Sequence, residues 1–277
     1  MKLIHISDIH INPEPILESN PIENFERCMT HIENHHLDAE MVVISGDLTH
    51  HGQRSSYVRL REMIDQWKAD PLLMIGNHDH RETFQDLFPE VGRDKNGYVQ
   101  YVMEKDEGDF VFLDTVLHGT HAGHFGEDRQ AWLKAQLDRA AVSQRPVFLF
   151  MHHNPVEVGV KNSDLIGLTD GKAFRTLISE YKSVIRHIFF GHCHYILSGS
   201  VCGIPMSAPR STNHPCVPEF SGEDILGYAP YPPTYNVCLL SDDAVVVHSI
   251  DFMDDDKITW LETTSDGWIA EEVPQDA

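Results

Sequence analysis

Across 277 residues the chain carries 43 acidic and 21 basic side chains, a formal charge of −22. That surplus opposes a general role on nucleic-acid backbones or anionic membranes, so no nucleic-acid duplex is expected as a partner and an anionic substrate would need local positive charge. No stretch approaches the apolar length of a membrane span, and the chain is long enough to bury a substantial core.

Taken in chain order, the first half reads as strand alternating with helix: a strand from Leu3 to Ser7, a helix from Pro21 to His35, a strand from Met41 to Ser45, a helix from Gln53 to Trp67 and a strand from Leu72 to Ile75. Tyr57, Leu60, Ile64 and Trp67 fall near one helical face, which is core periodicity. Tyr98 to Met103 and Phe110 to Leu113 read as a hairpin about the turn at Asp106 to Asp109. Helices at Glu127 to Ala140 and Gly171 to Tyr181 then alternate with strands at Val147 to Met151 and Ile185 to Phe190. Strands are expected at Tyr195 to Val201, Thr234 to Leu240 and Ala244 to Ile250, with an irregular segment rich in Pro, Gly, Ser and aromatics over 205–233. Residues 1–250 are accordingly read as one α/β domain in which 205–233 is functional, and 251–277 as a solvated tail carrying Asp254-Asp255-Asp256 and Glu271-Glu272. Met1 leads at once into the first strand, and Cys28, Cys193, Cys202, Cys216 and Cys238 are odd in number without CxxC spacing; both features fit a cytoplasmic protein with reduced thiols.

Five polar clusters follow five of the apolar runs: Asp8-Ile9-His10, Gly46-Asp47, Gly76-Asn77-His78-Asp79, His152-His153 and Gly191-His192-Cys193-His194. Ligands gather at the carboxyl ends of strands in α/β sheets, so the five are expected to converge on one rim. Their carboxylate, imidazole and amide donors suit Mn, Fe, Zn or Co. Asp8, His10, Asp47, Asn77, His152, His192 and His194 are too many for one ion, whereas two metals about 3.5 to 4 Å apart, sharing a carboxylate, would use them all.

These blocks, DxH, GD, GNHD, a lone His in an HxP-type turn and GHxH, resemble in identity and order those of the calcineurin-like metallophosphoesterases over roughly residues 1 to 200. Length, the ISDIH opening and the MHHNP turn bring the chain nearest to class III cyclic-nucleotide phosphodiesterases and glycerophosphodiesterases. The resemblance implies a four-layer αββα sandwich with a C-terminal substrate and dimerisation segment, and a metal-dependent phosphoric diester hydrolase. It assigns Asp8, His10 and His194 to a first metal, Asn77, His152 and His192 to a second, and Asp47 to the bridge, the ions being Mn²⁺, Fe²⁺/Fe³⁺ or Zn²⁺. It further implies attack by a water or hydroxide shared by the metals, with His78 stabilising charge or protonating the leaving oxygen, Asp79 orienting His78, and His214 near the substrate. Asn77, a weak neutral donor, suits a metal that must also accept a substrate phosphate oxygen. The expected substrate is a glycerophosphodiester or a 3′,5′-cyclic nucleotide, with phospholipid head groups or phosphomonoesters as alternatives; the resemblance implies a homodimer or a higher homo-oligomer. An inactive metal-binding scaffold is the reading outside enzymes, and the complete ligand set opposes it.

Among the other histidines, His153 is expected behind His152, and His50, His51 and His80 at the pocket mouth. His118, His121 and His124 could gather a third metal but are read as a solvated loop. Tyr228, Tyr231 and Tyr235 are candidates to pack on a base or a choline-like group, or else are loop anchors.

Overall fold

The computed structural model describes residues 1–260; Glu271 and Glu272 lie outside the described residues. Its first half runs β1 (Lys2–Ile6), α1 (Pro21–His35), β2 (Met41–Ser45), α2 (Arg54–Gln66), β3 (Leu72–Met74) and α3 (Arg81–Leu87). Then follow β4 (Tyr101–Lys105), β5 (Gly108–Phe112), α4 (Glu127–Ser143), β6 (Val147–Phe150), α5 (Lys161–Leu165), α6 (Gly171–Glu180) and β7 (Ile185–Phe189). The chain continues with β8 (Leu197–Val201), β9 (Ile204–Ala208), β10 (Cys216–Val217), β11 (Gly227–Tyr228), β12 (Thr234–Leu240), β13 (Val245–Asp251) and a 3₁₀ turn at Asp255–Lys257. Strand order is β13-β12-β1-β2-β3 in one large sheet and β4-β5-β6-β7-β9-β8 in the other, and β10 and β11 pair antiparallel as a separate two-stranded ribbon. No helix of the described residues is long and apolar enough to cross a membrane.

Three apolar layers explain why the strands read as continuous hydrophobic runs, since each central strand is covered on both faces. Phe25 and Ile32 of α1, Tyr57 and Leu60 of α2 and Phe84 of α3 pack on Ile4, Ile6, Val42 and Ile44 of the first sheet. Leu133 and Leu137 of α4 and Phe174 and Ile178 of α6 pack on Val147, Leu149 and Ile188 of the second. Between the sheets, Leu3, Met41, Val43 and Met74 meet Phe110, Phe112, Phe148, Phe150 and Phe189. Phe112, Phe150 and Phe189 stack in succession at centroid distances of 5.0 and 4.7 Å. This is the αββα sandwich that the resemblance implies.

Local sequence accounts for the boundaries. Asn20 caps α1 by accepting from the amides of Ile22 and Glu23, with Pro21 at the first helical position. Helix α4 opens on Glu127 and Asp128, which favour the positive end of its dipole, and closes on Gln144 in the left-handed conformation. Several elements were not expected from the sequence, α5, β10 and β11 among them, and three departures have a local cause. Helix α3 is short, and it starts where the His80 ring accepts from the Thr83 amide. Strand β9 occupies the first residues of 205–233, pairing parallel to β7 and antiparallel to β8. After β13 the chain is not a free appendage, because Phe252 is buried and packs on the first-sheet core.

Candidate active site

The five polar clusters do converge, and the backbone that presents them is unusual. Asp8, His10, Asp47, His192 and His194 all have positive φ, between 48° and 67°. For residues with a Cβ this conformation costs on the order of 1 to 3 kcal/mol each and persists where surrounding structure enforces it. Close approach explains two of the glycines. A Cβ on Gly76 would strike the Asp47 carboxylate and amide, and one on Gly191 would strike Ser7 Oγ and reach Asp8 Oδ2 at 2.8 Å.

Besides His10 with His50 and His78, and His10 with His194 and His214, two groups of potential ligand atoms share Asp47: Asp8, His10, Asp47 and His194 in one and Asp47, His152 and His192 in the other. In the first, His10 Nε2 lies 3.1 Å from His194 Nε2 and 3.6 Å from Asp47 Oδ2, and His194 Nε2 lies 3.4 Å from Asp8 Oδ1. In the second, His152 Nε2 stands 3.3 Å from Asp47 Oδ1 and 3.1 Å from Asn77 Oδ1. Carbonyl oxygens hold the outward ring nitrogens: His152 Nδ1 donates to Ser45, His194 Nδ1 to His214 and His192 Nε2 to Ile166. A carbonyl only accepts, so in the neutral rings the lone pair of each falls on the other nitrogen, the arrangement that outer contacts impose on metal-binding histidines.

The donor set fits cations. Burial alone would lower the His152 pKa, yet the charge and hydrogen bond of Asp47 carry it up to about 9. His194 is likewise carried well above its usual value by Asp8, against the burial that opposes it. The two buried carboxylates thus draw protons onto neighbouring imidazoles, which is the charge compensation that bound metal ions would supply. His10 is held neutral chiefly by burial, and so is His192, lowered to about 3.

His78 stands at the mouth, its Nε2 4.0 Å from Asp47 Oδ2 and its amide donating to Asp47 Oδ1 at 2.9 Å. Its Nδ1 donates to the carbonyl of His50 at 2.7 Å. Asp79, expected to orient His78, does something else. Its Oδ2 accepts from the amides of Leu48 and Gly76, and its Oδ1 from the Thr49 amide and the Tyr57 hydroxyl. The carboxylate turns into the protein because buried donors on three segments surround it, so it braces the GD and GNHD turns. Tyr57, read from the sequence as core alone, also accepts from the His80 amide at 2.8 Å; its helical periodicity carried no sign of that polar duty.

His214 is buried, its ring centroid 4.6 Å from His10 and 4.4 Å from His194, and burial first, then His194, lowers its pKa to about 2. His153 has both nitrogens engaged, with Thr115 Oγ1 and with the His121 carbonyl, which leaves His152 as the ring facing the carboxylates. His50 joins the rim through Nδ1, 3.3 Å from His10 Nδ1, and stacks on His78. His118, His121 and His124 do not gather: they pair with Arg81, Asn77 and Thr169 respectively. Tyr235 is fully buried, with its hydroxyl on His31, so it is a core residue and no substrate platform. Tyr228 and Tyr231 line a cavity of about 420 Å³ together with Asn213.

A family model described as calcineurin-like phosphoesterase matches residues 1–195. A protein of Rhodopseudomonas palustris named "probable cyclic nucleotide phosphodiesterase" is 32% identical over 92% of this chain and 94% of its own length. The 3′,5′-cyclic adenosine monophosphate phosphodiesterase of Pseudomonas aeruginosa is 24% identical over 91% of the chain and 90% of its length. A glycerophosphodiester phosphodiesterase of Enterobacter lignolyticus is 31% identical over 56% of each chain. The fold is similar to that of a dimetal phosphatase from Danio rerio, with a TM-score of 0.69 and 15% identity over 91% of this chain and 96% of that one. Sequence blocks, layered sheets and matched relatives meet on one statement: the chain belongs to the calcineurin-like phosphoesterase family, and it is an enzyme of phosphoester hydrolysis.

Proposed function

We propose that the protein hydrolyses a small phosphodiester, a 3′,5′-cyclic nucleotide or a glycerophosphodiester, at a site for two metal ions. The observation that carries this reading is Asp47, whose two carboxylate oxygens face separate clusters of buried imidazole nitrogens. Asp8, His10 and His194 would hold one ion, Asn77, His152 and His192 the other, and Asp47 both. Such ions supply Lewis-acid activation of a phosphoryl group and of water; Mn²⁺, Fe²⁺/Fe³⁺ and Zn²⁺ all suit the donors.

The chain's own groups do the rest. His78 Nδ1 is committed to the His50 carbonyl, so its Nε2 is the atom that donates to the equatorial oxygens or delivers a proton to the leaving oxygen. Asn77 presents its Oδ1 toward His152, while His121 holds its amide nitrogen at 2.9 Å. His214, at the edge of the first cluster, is the side chain placed to meet the substrate's second ester group. The cyclic nucleotide is favoured over the glycerophosphodiester because two relatives matched over nine-tenths or more of both chains carry that name.

Metal-stripped protein reloaded with Mn²⁺ tests the reading, assayed on bis(p-nitrophenyl) phosphate, p-nitrophenyl phosphate, cyclic AMP and glycerophosphocholine. Cleavage of the diester well above the monoester is expected, with cyclic AMP cleaved. Cleavage of the monoester alone would make the enzyme a phosphatase.

Self-association through 218–231 belongs to the same reading, since Phe220, Ile225 and Leu226 are exposed there. Light scattering should find a dimer that Phe220→Ser weakens.

A further inference from the structure

Away from the rim, on the helix-covered side of the first sheet, His31 and His35 stand four residues apart on α1 and face Asp255 of the 3₁₀ turn. His35 Nε2 lies 2.8 Å from Asp255 Oδ2, and His31 Nε2 lies 3.6 Å from Asp255 Oδ1. One ligand atom from each of the three falls within 4.8 Å of the others. Donors spaced at i and i+4 share a helix face, and a pair of imidazoles at that spacing with one carboxylate is a transition-metal donor set. About 3.3 Å separates donors around a tetrahedral zinc, so the observed distances need only small side-chain adjustments.

Two independent features prepare this triad. Buried Tyr235 holds His31 Nδ1 through its hydroxyl at 2.7 Å. With that nitrogen as donor, the lone pair of His31 is on Nε2, which faces Asp255, as outer contacts arrange it for metal-binding histidines. Phe252, three residues before Asp255, is buried and stacks over the same Tyr235 ring at 6.0 Å, fixing where the carboxylate arrives. A cavity of about 310 Å³ lined in part by His31 and Asp255 opens the triad to solvent; Glu23 and Glu26 on its wall are paired with Arg27 and Arg59, so the cation's attraction comes from the triad itself.

We propose that His31, His35 and Asp255 form a third metal site, for Zn²⁺ or a similar divalent transition ion, with an open position for water. Its role is to clamp the segment after β13 onto α1, and it does not depend on the reaction proposed for the rim. None of its residues belongs to either rim cluster. Without the ion the three side chains make an ordinary imidazole and carboxylate contact, which is the arrangement that the experiment must distinguish from a site.

The experiment counts zinc per chain by equilibrium dialysis of metal-stripped full-length protein against Zn²⁺ alone. An Asp8→Asn, His10→Ala, Asp47→Asn, His152→Ala variant, depleted at the rim, should still bind one zinc, and adding His35→Ala or Asp255→Asn should abolish that binding together with any zinc-induced rise in Tm. If the rim-depleted protein binds none, or keeps its zinc after both substitutions, the site does not exist. Should the rim-depleted protein not fold, the wild-type background decides: His35→Ala and Asp255→Asn must each lower the zinc count by one while leaving the rate of phosphoester hydrolysis unchanged, and an unaltered count overturns the proposal.

Discussion

His78 Nδ1 donates to the carbonyl oxygen of His50 at 2.7 Å, and this contact settles which ring nitrogen of His78 is free to act. The bond uses backbone from the turn after Asp47, so the ring is positioned by the same loop that carries the shared carboxylate. His78→Ala should therefore retain both metals, by elemental analysis, and lower kcat by about 10² to 10⁴, the range for loss of an acid-base group. Unchanged turnover would remove His78 from the chemistry.

Asp79 predicts a different kind of loss. Replacing it by Asn turns one acceptor oxygen into a donor facing at least two buried donors, since Oδ1 serves Thr49 and Tyr57 while Oδ2 serves Leu48 and Gly76. Asp79→Asn should cost about 2 to 3 kcal/mol in the denaturant unfolding of metal-free protein, and Tyr57→Phe about 1 kcal/mol. Wild-type stability for Asp79→Asn would mean that the brace is dispensable.

Gly76→Ala offers a test of metal retention that alters no ligand. The added methyl meets the Asp47 carboxylate and amide, both backed by buried structure, so the carboxylate must shift. Metal content after reloading should fall toward zero for both ions, with activity following it. Two metals bound at full strength would show that Asp47 can move without consequence.

Between the sheets, His187 is buried with Nε2 on Ser207 Oγ at 2.9 Å, and burial lowers its pKa to about 4. In the unfolded chain it titrates near 6.5, so between about 4 and 6.5 the unfolded state holds more protons and stability falls as pH drops through that window. The full effect is bounded at about 3 kcal/mol. His187→Gln keeps a hydrogen-bonding partner for Ser207 without titrating, and should flatten the decline of Tm between pH 6.5 and pH 4 relative to wild type. Parallel Tm profiles would show that another group governs the acid limb.

Much of this architecture was legible because the strands that matter are short, apolar and followed by polar turns, from Leu3 to Asp8 and again at His192. The convergence of the clustered histidines was legible through their spacing, and the reading of His152 rather than His153 toward the carboxylates is supported by the two hydrogen bonds that occupy His153. What escaped the sequence depends on direction in space. Chain order places Asp79 beside His78 but cannot say that its side chain turns inward to amides on two segments and to the Tyr57 hydroxyl on a third. Strand β9 was hidden in a stretch dense in turn residues, and its pairing with β7 is a long-range choice that local composition does not record. Tyr235 was grouped with Tyr228 and Tyr231 as a substrate platform or loop anchor, although the second position of β12 buries it, with its hydroxyl on His31 of α1.

Strand β1, which delivers Asp8 and His10, lies between β2 on one side and β12 on the other, so its neighbours come from residues 41–45 and 234–240. During synthesis the second neighbour is made almost two hundred residues after the first, and pairings of such wide separation close slowly. A nascent chain that stops short of β12 would already hold every residue of the five blocks yet expose one whole edge of β1 to solvent or to other chains. Competence at this rim therefore waits for β12, which is synthesised well after the five blocks that carry the polar clusters.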